Sequence, residues 1–448
     1  MILNQNDAWV MVSSFLKCLA LFLLGKIVVV VGTGVLFPSG PAMWLVSICS
    51  FLFGTLSVLF FCRKFICCKV TMRGAAGALF LFSAGGFLIY FPDTLAAFSS
   101  EVSLLFGLAL TVLAWLVVSL LVFSLRLPLL FFRNSPRALL LYVLALPLFE
   151  LGLLFVFPLA YFGSMPVPVP PGAFFSAGKF GASGTLTVLV DPRFDEELRL
   201  QAAQEAQGFE LKESWSFLND LFSNIERQRD EQVLQMLWPE TMFAVGPAGL
   251  QTIFAGLEKR ALEKGFHRLE LVAGVGSALE NKVLHTTRLD TTGRIRFRQV
   301  GEKMSGVPLF ETNVMGLAVY AMETRAGENE YWSDLERPNN SRDALALLQN
   351  SNIKICYDAL FPQARQFGQK EVIFTNHHIF SRFKIASLTY DYVLRLLGLM
   401  LQNEVLLVAN QGSSGLVDSV GAFSHKDSTL ENNKGRFMIW RRHARSLL

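Results

Sequence analysis

Four apolar runs, near residues 42–62, 74–92, 103–124 and 138–163, constrain this chain more than any other feature of its sequence. A helix needs about 20 residues to cross a hydrocarbon core of about 30 Å, and each run is long enough. A fifth stretch, residues 9–36, is interrupted by Lys17 and Lys26. It reads either as one span carrying a lysine toward the bilayer midplane or as a span plus a short re-entrant piece. The single span is favoured, giving five in all. A signal peptide competes for the same stretch, but no clear small-residue cleavage site comes after it.

Charge is as uneven as apolarity. Residues 1–164 carry nine of the 40 Lys and Arg and four of the 36 Asp and Glu, a net +5, while the remainder carries 31 and 32, a net −1. With 52% hydrophobic residues and a mean hydropathy of +0.41, the whole is too apolar for a purely cytosolic enzyme. The soluble part has no basic face for tracking phosphates, which disfavours nucleic-acid binding. Basic loops stay in the cytoplasm. Arg63, Lys64, Lys69 and Arg73 come after the run at 42–62, and Arg126, Arg133 and Arg137 precede the last, whereas Pro92 to Glu101 carries only acidic charges. On that rule the last span exits on the opposite side and places the soluble part outside the cytoplasm. Cys18, Cys49, Cys62, Cys67 and Cys68 lie in the apolar third, leaving Cys356 alone in the soluble part, so no disulfide framework supports it.

Residues 164–172, Ser-Met-Pro-Val-Pro-Val-Pro-Pro-Gly, lack an amide at four positions and favour an extended, stiff spacer. The chain thus divides into a transmembrane helical region over 1–164, a Pro-rich linker and membrane-proximal loop over 165–184, and a soluble domain over 185–448. In the last, β-branched runs alternate with amphipathic stretches. The pattern predicts strands at 185–190 and near 242–245, 268–274, 315–321, 352–356, 371–375 and 405–409, and helices near 195–206, 213–232, 250–263, 341–349 and 387–402. Such alternation points to a layered α/β domain with its chemical groups at strand ends.

Three segments carry candidate chemistry. Ile353 to Cys356 reads as a strand delivering a thiol to a turn; alone, a single Cys is more often an apolar filler. Leu237-Trp238-Pro239-Glu240 places a carboxylate in a turn, where Trp238 would raise its pKa by desolvation; alone, this is a helix cap or surface acid. In Gly301-Glu302-Lys303 to Glu311, a lysine and a carboxylate flank an apolar turn, as a surface ion pair also would. His377 and His378 match no metal-ligand spacing, and no metal or other cofactor is expected.

Taken together the segments resemble the Glu–Lys–Cys constellation of the carbon–nitrogen hydrolase (nitrilase) superfamily, and the apolar first third resembles its apolipoprotein N-acyltransferase branch. The family's Trp-Pro-Glu is matched by Trp238-Pro239-Glu240, and its Ile-Cys-Tyr-Glu by Ile355-Cys356-Tyr357-Asp358. Its Lys followed by Leu-Val-Pro-Phe-Gly-Glu is matched by Lys303 with Val307-Pro308-Leu309-Phe310-Glu311, although Arg298 competes for the lysine position. Thr375-Asn376-His377-His378-Ile379-Phe380 is similar to Ser-Asn-Asp-x-Trp-Phe, and Asn410-Gln411-Gly412 to a Thr-Asn-Asn-Gly strand end. The chain departs in having His377 for Asp, Ile379 for Trp, Asp358 for Glu and no Gly before Glu311.

The resemblance implies an αββα sandwich, nitrilase-like, on the extracytoplasmic side of a bacterial inner membrane. It implies a catalytic set of Glu240 as base, Lys303 at the oxyanion and Cys356 as nucleophile, with Glu311, Tyr357, Trp238 and Asn376 supporting. The implied reaction moves an acyl chain from a membrane phospholipid to an amine such as a lipoprotein N-terminus. Water as acceptor would make the same residues a hydrolase. The family's last membrane span is not expected in residues 437–448, because Arg441, Arg442 and Arg445 interrupt them. That departure is similar to conjugal-transfer TraB-type proteins, in which the domain would be an amidase or hydrolase, or a catalytically idle scaffold within a transfer apparatus.

Overall fold

A run of twenty or more apolar side chains is stable in a bilayer only as a helix, because lipid cannot pair backbone N–H and C=O groups. The computed structural model describes residues 5–32, 40–67, 71–101, 103–165, 184–192, 217–243, 247–275, 282–288, 293–302, 351–365, 367–376, 385–410, 414–417, 423–424, 428–432 and 435–441. Among them are five spans long and apolar enough to cross a membrane: Trp9–Val31, Leu45–Ile66, Met72–Ser99, Leu104–Asn134 and Pro136–Val156. They are built from α1 (Gln5–Val31), α2 (Gly40–Phe61), α3 (Met72–Gly85), α4 (Phe91–Glu101), α5 (Leu104–Arg126) and α6 (Pro136–Leu151). Within the described residues the N-terminal stretch is one helix, α1, and it packs closely on α2 through small residues. A Cβ on Gly25 would come within 3.1 Å of Ser50 O, and the Ser50 and Ser57 hydroxyls donate to the carbonyls of Gly25 and Cys18.

The final span departs from the sequence expectation. The apolar run predicts a crossing over 138–163, but the span ends at Val156, after a short helical turn Leu153–Val156 beyond α6, and Pro158–Gly163 forms a 3-10 segment buried against the bundle. Non-helical backbone at such depth needs protein partners. Two buried charges supply them: the Lys26 ammonium donates to the carbonyls of Phe162 and, at 3.3 Å, of Gly86, while the Glu150 carboxylate accepts the Met165 N–H. Glu150 in turn accepts from Arg126 Nε at 2.6 Å, both side chains being fully buried, and the guanidinium stands 5.2 Å from the centre of the Phe22 ring. Arg126 is therefore no loop charge, and Arg133 before α6 and Arg137 in its first turn remain as the basic residues at that end.

From residue 184 the alternation of apolar side chains builds two sheets. The larger has the order β11-β12-β1-β2-β3-β4-β5 and the smaller β10-β9-β8-β7-β6. Their strands are β1 (Thr185–Asp191), β2 (Val233–Phe243), β3 (Arg268–Val275), β4 (Lys282–Arg288), β5 (Ile295–Glu302), β6 (Ser351–Ile355), β7 (Lys370–Asn376), β8 (Glu404–Asn410), β9 (Gly415–Val417), β10 (Phe423–Ser424), β11 (Ser428–Asn432) and β12 (Gly435–Arg441). β1, β2 and β3 run parallel, as do β6, β7 and β8. Successive strand residues face opposite sides. Leu189, Leu237 and Val272 accordingly meet Phe374, Leu406 and Val408 between the sheets, whereas Val188, Met236 and Leu271 face α7 (Phe217–Asn224) and α8 (Pro247–Glu263). On the far side Ile373, Val405 and Leu407 pack on α9 (Ile385–Leu401), which also lies against the bundle residues Val30, Phe87 and Phe162. The layers run helix, sheet, sheet, helix, with α9 shared between the domain and the bundle.

Of the helix predicted over 213–232, the described residues 217–232 are helical at Phe217–Asn224 alone, and the strand predicted near 242–245 begins at the end of the much longer β2. β4, β5 and β9 to β12 were not predicted from the pattern. The elements predicted at 195–206, 315–321 and 341–349 lie outside the described residues.

Candidate active site

Parallel strands deliver the residues just beyond their ends to one edge of a sheet, and here the ends of β6, β7 and β8 meet the end of β2. Pro239 cannot donate to the ladder, and the β2–β3 register shifts between Trp238 and Phe243. The irregularity separates two residues that regular alternation would put on one face. Trp238 stays in the helix-side core, its ring 5.0 Å from that of Phe243, and anchors the strand from behind. Glu240 is buried and reaches across to the other sheet, where its Oε2 accepts the Asn376 N–H at 3.1 Å. Asn376 is itself positioned by Asn410, whose Nδ2 donates to Asn376 Oδ1 at 2.9 Å. Glu240 thus gains a specific hydrogen bond from β7, while Trp238 packs in the helix-side core.

Cys356 comes directly after β6 and has φ 46°, a left-handed conformation uncommon for a residue with a side chain. Such strain persists only where neighbours hold it, and it concentrates at functional turns. The thiol is half-buried against the inter-sheet core. Two contacts hold the 3-10 turn Cys356–Leu360. Tyr390 on α9 donates its hydroxyl to Cys356 O at 2.6 Å, and Arg365 donates to Ala359 O at 3.5 Å. Arg365 also pairs with Glu371 of β7, Nε to Oε2 at 2.8 Å, with both side chains fully buried. Burial raises the Tyr390 hydroxyl well above its usual pKa, and the Cys356 and Glu240 charges add to the rise, so it is a neutral donor to the Cys356 carbonyl. Tyr357 points to the membrane side of the turn, edge-on to Phe361, and burial raises its hydroxyl as well.

The structure therefore brings Glu240, Cys356 and Asn376 to one edge, with Tyr357 beside them. Lys303 and Glu311, as well as His377 and His378, lie outside the described residues. The described chain stops one residue short of Lys303, on β5, where a Cβ on Gly301 would sit 2.6 Å from Ile353 of β6, the strand that leads to Cys356. Arg298 is mid-strand opposite His285. There it helps Arg268 and Arg296, behind the larger effect of burial, to push His285 down to about 3. Sequence reading missed Tyr390 and the Arg365–Glu371 pair. The usable signal for the former was Tyr390-Asp391-Tyr392, polar groups inside an otherwise apolar helix.

Comparison of the chain with protein-family models finds no match, and no curated protein is significantly similar to it. The site's own geometry carries the functional reading.

Proposed function

We propose that the protein is a membrane-bound acyltransferase of the carbon–nitrogen hydrolase kind, with a nitrilase-like domain on the extracytoplasmic side of a bacterial inner membrane. One observation carries the proposal: Tyr390 holds the Cys356 carbonyl on a left-handed strand-end turn, while Glu240, far away in sequence, accepts the Asn376 N–H at the end of the neighbouring strand. The turn's far face supports a lipid substrate, because Tyr357, Ala359 and Leu360 share one core with the bundle residues Tyr90, Val118 and Leu154. Arg63, Lys64, Arg133 and Arg137 favour the outward orientation.

In the first half-reaction Glu240 accepts the Cys356 proton while Sγ attacks the carbonyl carbon of a phospholipid ester. The oxyanion is stabilised by the Tyr357 amide and, by the family resemblance, by Lys303, with Glu311 orienting the lysine. The C–O bond breaks, the departing alcohol takes the proton from Glu240, and a thioester remains. In the second half-reaction Glu240 takes a proton from an incoming amine, such as a lipoprotein N-terminus, whose nitrogen attacks the thioester. The C–S bond breaks, an amide leaves and the thiol recovers its proton. Intact mass measurement of protein purified from membranes tests this. The expected result is an acyl-chain increment removed by hydroxylamine and missing from Cys356→Ala. An increment that persists in that variant, or none at all, sinks the proposal in favour of the scaffold reading.

A further inference from the structure

The strained turn at Cys356 is held from α9, and α9 is held by the membrane bundle. The β6–β7 ladder ends at the pair Ile355 and Phe374, so the next carbonyl, that of Cys356, leaves the sheet. Tyr390 meets it at 2.6 Å, and the same hydroxyl bonds Thr375 at the end of β7. One helical turn away on the same face of α9, the Ala386 N–H donates to Asp93 Oδ2 of α4 at 2.9 Å. The neighbouring Thr389 hydroxyl meets the Tyr90 hydroxyl at 3.1 Å while donating to Ile385 O at 2.8 Å. A carboxylate at a helix N-terminus completes unpaired amides and complements the helix dipole. The bundle therefore fixes both the start and the rotation of the helix that carries Tyr390.

We propose that Tyr390 is a positioning residue, which keeps the Cys356 thiol facing Glu240 by holding the Cys356 carbonyl, and that Tyr90 and Asp93 set Tyr390 by seating α9 on the bundle. The inference rests on the reading of Cys356 as the nucleophile, and goes beyond it by making the bundle part of the nucleophile's support. A passive anchor would need no polar contact on the helix that holds the reactive turn.

The test is the rate at which iodoacetamide alkylates Cys356 in the full chain in detergent, followed by peptide-resolved mass spectrometry between pH 6 and 9. The exposed Cys67 serves as the internal reference. Tyr390→Phe is expected to slow Cys356 labelling about tenfold, the scale of a displacement well under 1 Å. The pH midpoint of labelling should move upward, because the thiol loses its placement relative to Glu240, while Cys67 labelling stays at the wild-type value and the thermal midpoint falls only on the scale of a lost buried hydrogen bond. A merely structural role would move the thermal midpoint and leave the pH midpoint alone. Wild-type rate and pH midpoint in folded Tyr390→Phe would overturn the proposal. If that variant does not fold, Tyr90→Phe decides: slowing of about threefold supports the proposal, and an unchanged Cys356 rate overturns it. Alkylation needs no acyl transfer. A chain that never forms a thioester yet shows the Tyr390→Phe response loses the proposed function and keeps this inference, and the opposite pair of results does the reverse.

Discussion

The bundle and the sandwich both bury charged groups, but they use them differently. In the bundle, Lys26 and Glu150 close the backbone of the segment that folds back after α6, and Arg126 pairs with Glu150 and lies over aromatic rings. Ionisable residues inside a membrane suggest function by default. Here each has a structural partner. At the strand ends of the sandwich the buried carboxylate instead accepts a hydrogen bond from the opposite sheet, one strand away from a half-buried thiol whose carbonyl a tyrosine holds. What distinguishes a site is the company its groups keep, not their burial.

The comparison is open to attack at several points. Its largest expected effect is total loss of the hydroxylamine-sensitive adduct in Cys356→Ala, with folding intact because a thiol-to-methyl change costs little packing. Glu240→Gln should slow acylation by about 10²- to 10⁴-fold, read as time-resolved adduct formation after addition of phospholipid vesicles. Arg126→Met should instead lower stability by about 3–5 kcal/mol, since it strands a buried carboxylate, and the double change with Glu150→Leu should recover part of that. Apparent melting in detergent measures both. If Arg126→Met slowed acylation as strongly as Glu240→Gln without loss of stability, the distinction between the two regions would fail.

Two smaller effects sharpen it. His285 is held neutral down to about 3, against 6.5 when unfolded. Between these values the unfolded chain binds more protons, so stability falls as pH drops from about 6.5 toward 3. Melting midpoints of wild type should decline over that window, and those of His285→Gln should decline less. Asp93→Asn should cost about 1 kcal/mol, the scale of a lost helix cap, read in the same melts.

Apolar length made the five spans legible, and β-branched runs marked β1, β3, β7, β8 and, with its apolar face, α9. What escaped had physical reasons. Lys282–Arg288 and Ile295–Glu302 are strands rich in charge, because the face opposite Leu284, Ile295 and Phe297 carries His285, Arg296 and Arg298 beside Val283 and Val300. Val233 to Leu237 follows the amphipathic stretch read as helix over 213–232, and its strand character comes from parallel pairing with Thr185 to Leu189. Pro147 lies inside a helix, whereas Pro158 opens the 3-10 segment that ends the crossing, and only the buried partners of the returning segment separate the two outcomes. At the site, Glu240 and Cys356 were visible as strand-end chemistry. Tyr390 was not, because its role depends on a carbonyl 34 positions away.

The place of β12 has a consequence for how the molecule is made. β1, the first strand after the membrane region, lies between β2 and β12, and β12 comes from residues more than half the chain further on. Until Gly435–Arg441 has emerged from the ribosome, one edge of β1 has no partner. Synthesis thus leaves the larger sheet unfinished through most of translation, long after the bundle is free to insert. A nascent chain arrested before Gly435 would display an open apolar edge, a target for chaperones and proteases, which makes the arrival of that strand a checkpoint on assembly.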